Sequence, residues 1–129
     1  MDKNSFGMHL ILDCYKCNPQ KLNDPVFLRG MLDTVVKEIG MKKISKPLVL
    51  RYGGNDKKDG GGCSGFVIVA ESHVSFHSFP FNKGFMTIDI YSCKEFDCTK
   101  AIHVLARELE AKNWHPVILE RGLAFKDYE

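Results

Sequence analysis

The stretch "FVIVAESHVSFHSFPFNKGFMTIDIYSC", residues 66–93, carries two apolar/polar alternations one after the other. In the first, Val74 and Phe76 alternate with His73, Ser75 and His77; in the second, Met86, Ile88 and Ile90 alternate with Thr87, Asp89, Tyr91 and Cys93. Side chains two apart in a strand share a face, so this period predicts two strands, each with one apolar and one polar side. The run "FVIVA" (66–70) is apolar at every position and predicts a third strand, covered on both faces. The polar side then collects His77, Asp89 and Cys93. Burying a polar group without a partner costs about 1–3 kcal/mol. Glu71, Ser72, His73, Ser75, His77 and Ser78 therefore mark either a wet edge or a place where chemistry is done.

Outward from this segment the pattern alternates between strand and helix. "GMHLILD" (7–13) and "PLVLRY" (47–52) read as strands. Between them Asp24 and Pro25 form a helix start, and Phe27, Leu28, Met31, Leu32, Val35, Val36 and Ile39 recur at helical spacing until Gly40. "GGNDKKDGGGCSG" (53–65) predicts a long loop with six glycines, and it lacks the G-K-[ST] ending of a phosphate loop. Thr99 is the expected cap of a second helix with Ile102, Leu105, Ala106 and Leu109 as its stripe, ending near Lys112 and Asn113. "HPVILERGLAF" (115–125) supplies a last strand. Two amphipathic helices and six strands predict a two-layer α+β sandwich, with helices on one face of a largely antiparallel sheet. The other sheet face is partly apolar and partly functional, so a second copy is expected to cover it, giving a four-layer αββα homodimer.

Composition narrows the class of function. A chain of 129 residues with 44% hydrophobic content fits a single domain, 1–129, with a real core. Its 18 basic and 16 acidic residues are interspersed, which argues against a nucleic-acid partner. No apolar run reaches membrane-span length and "MDKNSFGMHLILD" has no signal-peptide pattern, so a cytoplasmic location without membrane association is expected. Cys14, Cys17, Cys63, Cys93 and Cys98 form no regular framework, which favours free thiols. "CYKC" (14–17) has half of a zinc spacing but no second half, and His73 and His77 lie on a strand, so no metal is expected.

"ESHVSFH" (71–77), "IDIYSC" (88–93), "CSG" (63–65) and "GMHLILDCYKCN" (7–18) together resemble the short prokaryotic form of the S-adenosylmethionine decarboxylase family, whose members work through a covalent pyruvoyl group in polyamine synthesis. The resemblance runs from about Gly7 to Gly122. It implies that the chain cleaves itself between Glu71 and Ser72 into 1–71 and 72–129, with Ser72 becoming the pyruvoyl cofactor. By the same resemblance His77 takes the α-proton during maturation, Ser64 helps hold the processing intermediate, and Cys93 returns a proton to the product carbon. An α-amino acid loses carbon dioxide readily only when the resulting carbanion is delocalised, and a Schiff base with pyruvoyl provides that electron sink.

The chain departs from the family on the nucleoside side. Phe81 in "HSFPFNKGF" stands where the family has a ribose-binding glutamate, and the adenine-stacking ring expected ahead of "CSG" has only Tyr52 as a nearby counterpart. These losses favour L-arginine or L-ornithine as the small-molecule substrate, with S-adenosylmethionine as the alternative and an unprocessed regulatory relative as a remote one. A substrate with a distal cation needs a carboxylate. Asp13, Asp56, Asp59 and Asp89 are the candidates, and Asp89, Phe81 and Tyr52 are the expected substrate-side residues.

Overall fold

The computed structural model describes residues 4–54 and 60–129. Its elements are β1 (Gly7–Tyr15), α1 (Pro19–Leu22), α2 (Pro25–Glu38), β2 (Leu48–Tyr52), β3 (Gly62–Val69), β4 (Ser72–Phe79), β5 (Phe85–Ser92), α3 (Cys98–Leu109) and β6 (Asn113–Arg121), with a final 3-10 turn at Phe125–Tyr128. The strands form one sheet in the order β2-β3-β4-β5-β1-β6, and every neighbouring pair is antiparallel. The chain is a two-layer α+β sandwich, as the alternations predict.

Pleating sorts each strand into two faces. Leu10, Leu12, Cys14, Val67, Val69, Val74, Phe76, Met86, Ile88 and Ile90 face inward and share one core with Leu28, Met31, Leu32 and Val35 of α2 and Ala101, Ile102, Leu105 and Leu109 of α3. Helix α2 covers the β2–β3 side of the sheet and α3 covers the β1–β6 side. Ser78, inward on β4, is fully buried and satisfied. Its Oγ donates to the Leu22 carbonyl at 2.6 Å and accepts from the Cys63 N–H at 2.9 Å, which ties α1 to the sheet.

Helix ends follow the chemistry of capping, with two corrections. The Asp24 carboxylate accepts from the N–H groups of Val26 and Phe27, and Pro25 opens α2 as expected. The cap of α3 is Asp97, which accepts from Lys100 N–H, and the predicted cap Thr99 lies inside the first turn. A carboxylate two residues upstream outcompetes the hydroxyl because it starts the helix at Cys98. Strand β3 begins at Gly62, so the loop after β2 is shorter than 53–65. At Gly62 φ is +153° and an added Cβ would lie 2.1 Å from the Ser78 carbonyl, so only glycine lets β3 pass this close to β4. Strand β6 ends at Arg121 and does not continue to Phe125.

Among the described residues no α-helix covers the outer face. Phe66 and Ile68, expected to be covered on both sides, are 40% and 37% exposed there, beside Leu48 and Leu50 of β2, and Val117 and Leu119 are exposed at the far edge of the same face. The inward layer holds the fold instead. Truncating Phe76, fully buried at the centre of β4, should cost about 3–5 kcal/mol. Denaturant titration of Phe76→Ala measures this, whereas Ile68→Ala on the outer face should cost about 1 kcal/mol or less in the isolated chain.

Candidate active site

The bond between Glu71 and Ser72 lies where β3 turns into β4. Ser72 opens β4 with φ at +154°, a conformation that side-chain-bearing residues rarely adopt and that costs about 1–3 kcal/mol. The Glu71 carbonyl accepts from the Cys93 N–H at 2.7 Å. This donor polarises the carbonyl and is aimed where negative charge would develop if a nucleophile attacked it. The Glu71 side chain is held as well: Oε1 accepts from the Lys42 N–H at 3.1 Å and Oε2 lies 3.5 Å from Lys94 Nζ. The Lys42 hydrogen bond, helped by Lys94, holds this carboxyl below the usual carboxylate range.

Ser64 and His77 form a second group. They are register partners on β3 and β4, and Ser64 Oγ lies 2.7 Å from His77 Nδ1. Both face outward, over a cavity of about 270 Å³ lined by Leu48, Leu50, Gly65, Phe66 and Ser75. Further along this end, Tyr52 and Phe81 line one small cavity of about 290 Å³ with Asn23, Arg51, Gly53 and Gly60.

The two groups are apart within one chain. Ser72 and His77 are five residues apart on β4, which at the rise of a strand is roughly 16 Å, and the odd count puts them on opposite faces. His77 pairs across to Thr87, whereas Cys93 lies just past the Ser72–Ser92 pair, beside Glu71. His77, Asp89 and Cys93 share the polar face, as the alternation predicts, but occupy different rows along the strands. The Asp89 carboxylate accepts from His9 Nε2 at 2.9 Å, and Arg121 donates to His9 Nδ1 at 3.4 Å. Asp89 is thus engaged with His9. Asp13 faces outward on β1, and Asp56 and Asp59 lie outside the described residues.

A further cavity of about 510 Å³ flanks the Cys93 end. Phe6, Tyr91, Arg121, Gly122, Phe125 and Tyr128 line it. Arg121 stacks over the Tyr91 ring at 4.8 Å, and the Phe6 and Phe125 rings meet edge-on at 4.7 Å. Burial and the neighbouring His9 push the His73 imidazole below the usual histidine range, so it is neutral at pH 7. Sequence reading missed His9, Arg121, Phe6 and Phe125. The parity of "GMHLILD" does put His9 on the polar face; the others come from a turn and a terminus that no periodicity reveals. Cys14 and Cys17 are buried and paired: the Cys14 thiol donates to Cys17, raising the pKa of Cys14 and lowering that of Cys17. Among the described residues no three His, Cys, Asp or Glu side chains are placed to hold a metal ion, and no helix is long and apolar enough to cross a membrane.

The S-adenosylmethionine decarboxylase family profile matches residues 8–122, nearly the whole chain. The chain belongs to that family. It is 30% identical over 125 residues to the S-adenosylmethionine decarboxylase proenzyme of Pyrococcus furiosus, covering 96% of this chain and 84% of that one. It is 38% identical over 95 residues to the proenzyme of Pyrobaculum islandicum, covering 74% and 70% respectively. The crystal structure of the adenosylmethionine decarboxylase from Aquifex aeolicus superposes with a TM-score of 0.76 at 28% identity, covering 92% of each chain. The protein is thus a decarboxylase of the pyruvoyl class, whose cofactor is made from a serine of the chain itself. The Ser72 end fits such a conversion, since a serine follows a polarised carbonyl at a strained residue.

Of the five thiols in this decarboxylase, Cys93 alone is not buried. Limiting iodoacetamide should therefore label Cys93 first in the native protein, with the other four reacting only after denaturation. Peptide mapping that found Cys63 or Cys98 labelled first would contradict this ordering, since burial also pushes both of those thiols up.

Proposed function

We propose that the chain is an S-adenosylmethionine decarboxylase that cleaves itself at Glu71–Ser72 and works as a homodimer with active sites shared between two copies. The observation that carries this reading is the separation of the Ser72–Cys93 end from the Ser64–His77 pair on one straight strand. A two-fold axis through the outer face near Ser75, between the two groups, would set the first group of one copy against the second group of the other. The apolar outer residues Leu48, Leu50, Phe66, Ile68, Val117 and Leu119 give such an axis an interface to bury. The resulting assembly has four layers, αββα.

In maturation, Ser72 Oγ attacks the Glu71 carbonyl carbon. A C–O bond forms, the C–N bond breaks, the hydroxyl proton passes to nitrogen, and the Cys93 N–H stabilises the oxyanion. His77 of the partner subunit then takes the Ser72 α-proton, the ester C–O bond at Ser72 Cβ breaks, and the main-chain carboxylate of Glu71 leaves as the new C-terminus of residues 1–71. In the tautomer that donates from Nδ1 to Ser64 Oγ, the His77 Nε2 lone pair is free for this task. Tautomerisation and hydrolysis release ammonia and leave the ketone at residue 72. Once formed, that group supplies the electron sink for loss of carbon dioxide. Cys93, two residues from the aromatic cavity, is the acid that protonates the product carbon.

The substrate reading reverses the lean towards arginine or ornithine. Relatives at 30–38% identity across most of the chain are named S-adenosylmethionine decarboxylase proenzymes. The cavity beside Cys93 also suits a nucleoside: its volume of about 510 Å³ and its rings Phe6, Tyr91, Phe125 and Tyr128 match a large planar group better than an aliphatic amine. Phe81, two-thirds exposed at the other end, does not close that cavity.

Denaturing mass spectrometry of purified protein should give fragments of 71 and 58 residues, the shorter beginning with a pyruvoyl group, and Ser72→Ala should stay intact. A wild-type chain that stays intact is instead a regulatory relative without the activity. The processed protein should release carbon dioxide from carboxyl-labelled S-adenosylmethionine and not from L-arginine or L-ornithine; the opposite preference sinks the substrate assignment.

Sedimentation should show a dimer at micromolar concentration. Phe66→Asp with Ile68→Lys should yield a monomer that no longer cleaves, because elimination needs the partner's His77. A monomeric double variant that still forms pyruvoyl would show the site to be complete in one chain.

A further inference from the structure

We infer that Lys94 and the Glu71 carboxylate form a clamp that positions the scissile carbonyl for attack, an inference that rests on Glu71–Ser72 being the bond broken. Three contacts converge on Glu71. Its carbonyl takes the Cys93 N–H at 2.7 Å, its Oε1 takes the Lys42 N–H at 3.1 Å, and its Oε2 faces Lys94 Nζ at 3.5 Å. The supports of these donors are themselves fixed. The Ala70 N–H donates to the Lys42 carbonyl at 2.8 Å, Lys43 bridges to Val69, and the Lys94 N–H donates to the buried Ser92 Oγ at 3.1 Å. The residue that supplies the attacked carbonyl is therefore held at both backbone and side chain, next to a serine held at φ +154°.

The clamp has a chemical consequence beyond anchoring. As Ser72 Oγ bonds to the Glu71 carbon, the carbonyl oxygen gains negative charge. A carboxylate on the same residue, with its side chain only 13% exposed, would repel that charge unless neutralised. Lys94 and the Lys42 N–H supply the neutralisation. Their influence falls on ester formation, where the oxyanion develops, and not on the later α-proton removal. Lys94 is a positioning residue in this scheme, since it touches Glu71 and not the reacting atoms.

The test uses freshly synthesised full-length chains carrying His77→Ala, which withholds elimination, so that the hydroxylamine-cleavable ester followed by intact mass reports ester formation alone. Lys94→Gln, which leaves the carboxylate uncompensated, should slow this step about threefold, as expected for one partly exposed ion pair, whereas Glu71→Gln, which removes the repelling charge and can keep the Lys42 contact, should not slow it. The double variant should be no slower than either single, and Lys94→Arg should restore the rate. Added salt should slow the parent and leave Lys94→Gln unchanged, with melting temperatures equal throughout. An unchanged rate in Lys94→Gln, or a double variant as slow as Lys94→Gln, would overturn the clamp. A parent chain with His77 that cleaves normally while Lys94 has no influence removes the clamp alone; failure of that chain to cleave removes the reading beneath it too.

Discussion

Ser72 and His77 stand on one continuous β-strand, and the pleat and rise of that strand keep them roughly 16 Å apart on opposite faces. Register with the neighbouring strands extends this constraint to the other residues. Ser64 is fixed opposite His77, and Cys93 is fixed beside Glu71 by a 2.7 Å hydrogen bond. No side-chain rotation closes such a gap. The chemistry proposed for the chain needs a base close to the Ser72 α-carbon, so the fold itself argues for a second copy. The outer face, with Phe66 and Ile68 open to solvent, is the surface on which that copy would sit.

The division of labour between the two sheet faces follows from the same pleat. The inward residues of β1, β3, β4 and β5 are mostly apolar, with Ser78 and Ser92 as buried polar exceptions, and pack on α2 and α3, so stability resides in one layer interface. Polar residues are thereby displaced to the outer face without loss of core. There they pair locally: His77 with Ser64, and Asp89 with His9, which also accepts from Arg121. Each pair spans adjacent strands, so register alone holds the side chains in place before any partner arrives.

Most of the architecture is legible in the sequence because period two and period 3.6 are local signals. The alternations in residues 73–79 and 85–93 gave the right faces, and Asp24–Pro25 gave the right helix start. Errors arose where a longer-range contact decides. Asp97 displaces Thr99 as a cap, and the close approach of Gly62 to Ser78 extends β3 into the predicted loop. Of the candidate site, the types of residue were legible but their grouping was not. Parity places His77, Asp89 and Cys93 on one face, whereas only register assigns them to rows, and register depends on which residues the turns consume. Lys42 reaches Glu71 from a segment 29 residues away, beyond any periodic signal.

The shared site can be tested by subunit complementation. Two variants, Cys93→Ala and His77→Ala, are each expected to be inactive alone. In a mixed dimer both defects would fall in one site and leave the other with an unaltered Cys93 from one copy and an unaltered His77 from the other. Co-expression with two different affinity tags and isolation of doubly tagged dimers should therefore restore about half of the wild-type decarboxylation per dimer. Doubly tagged dimers as inactive as the parent variants would contradict a site built from two chains.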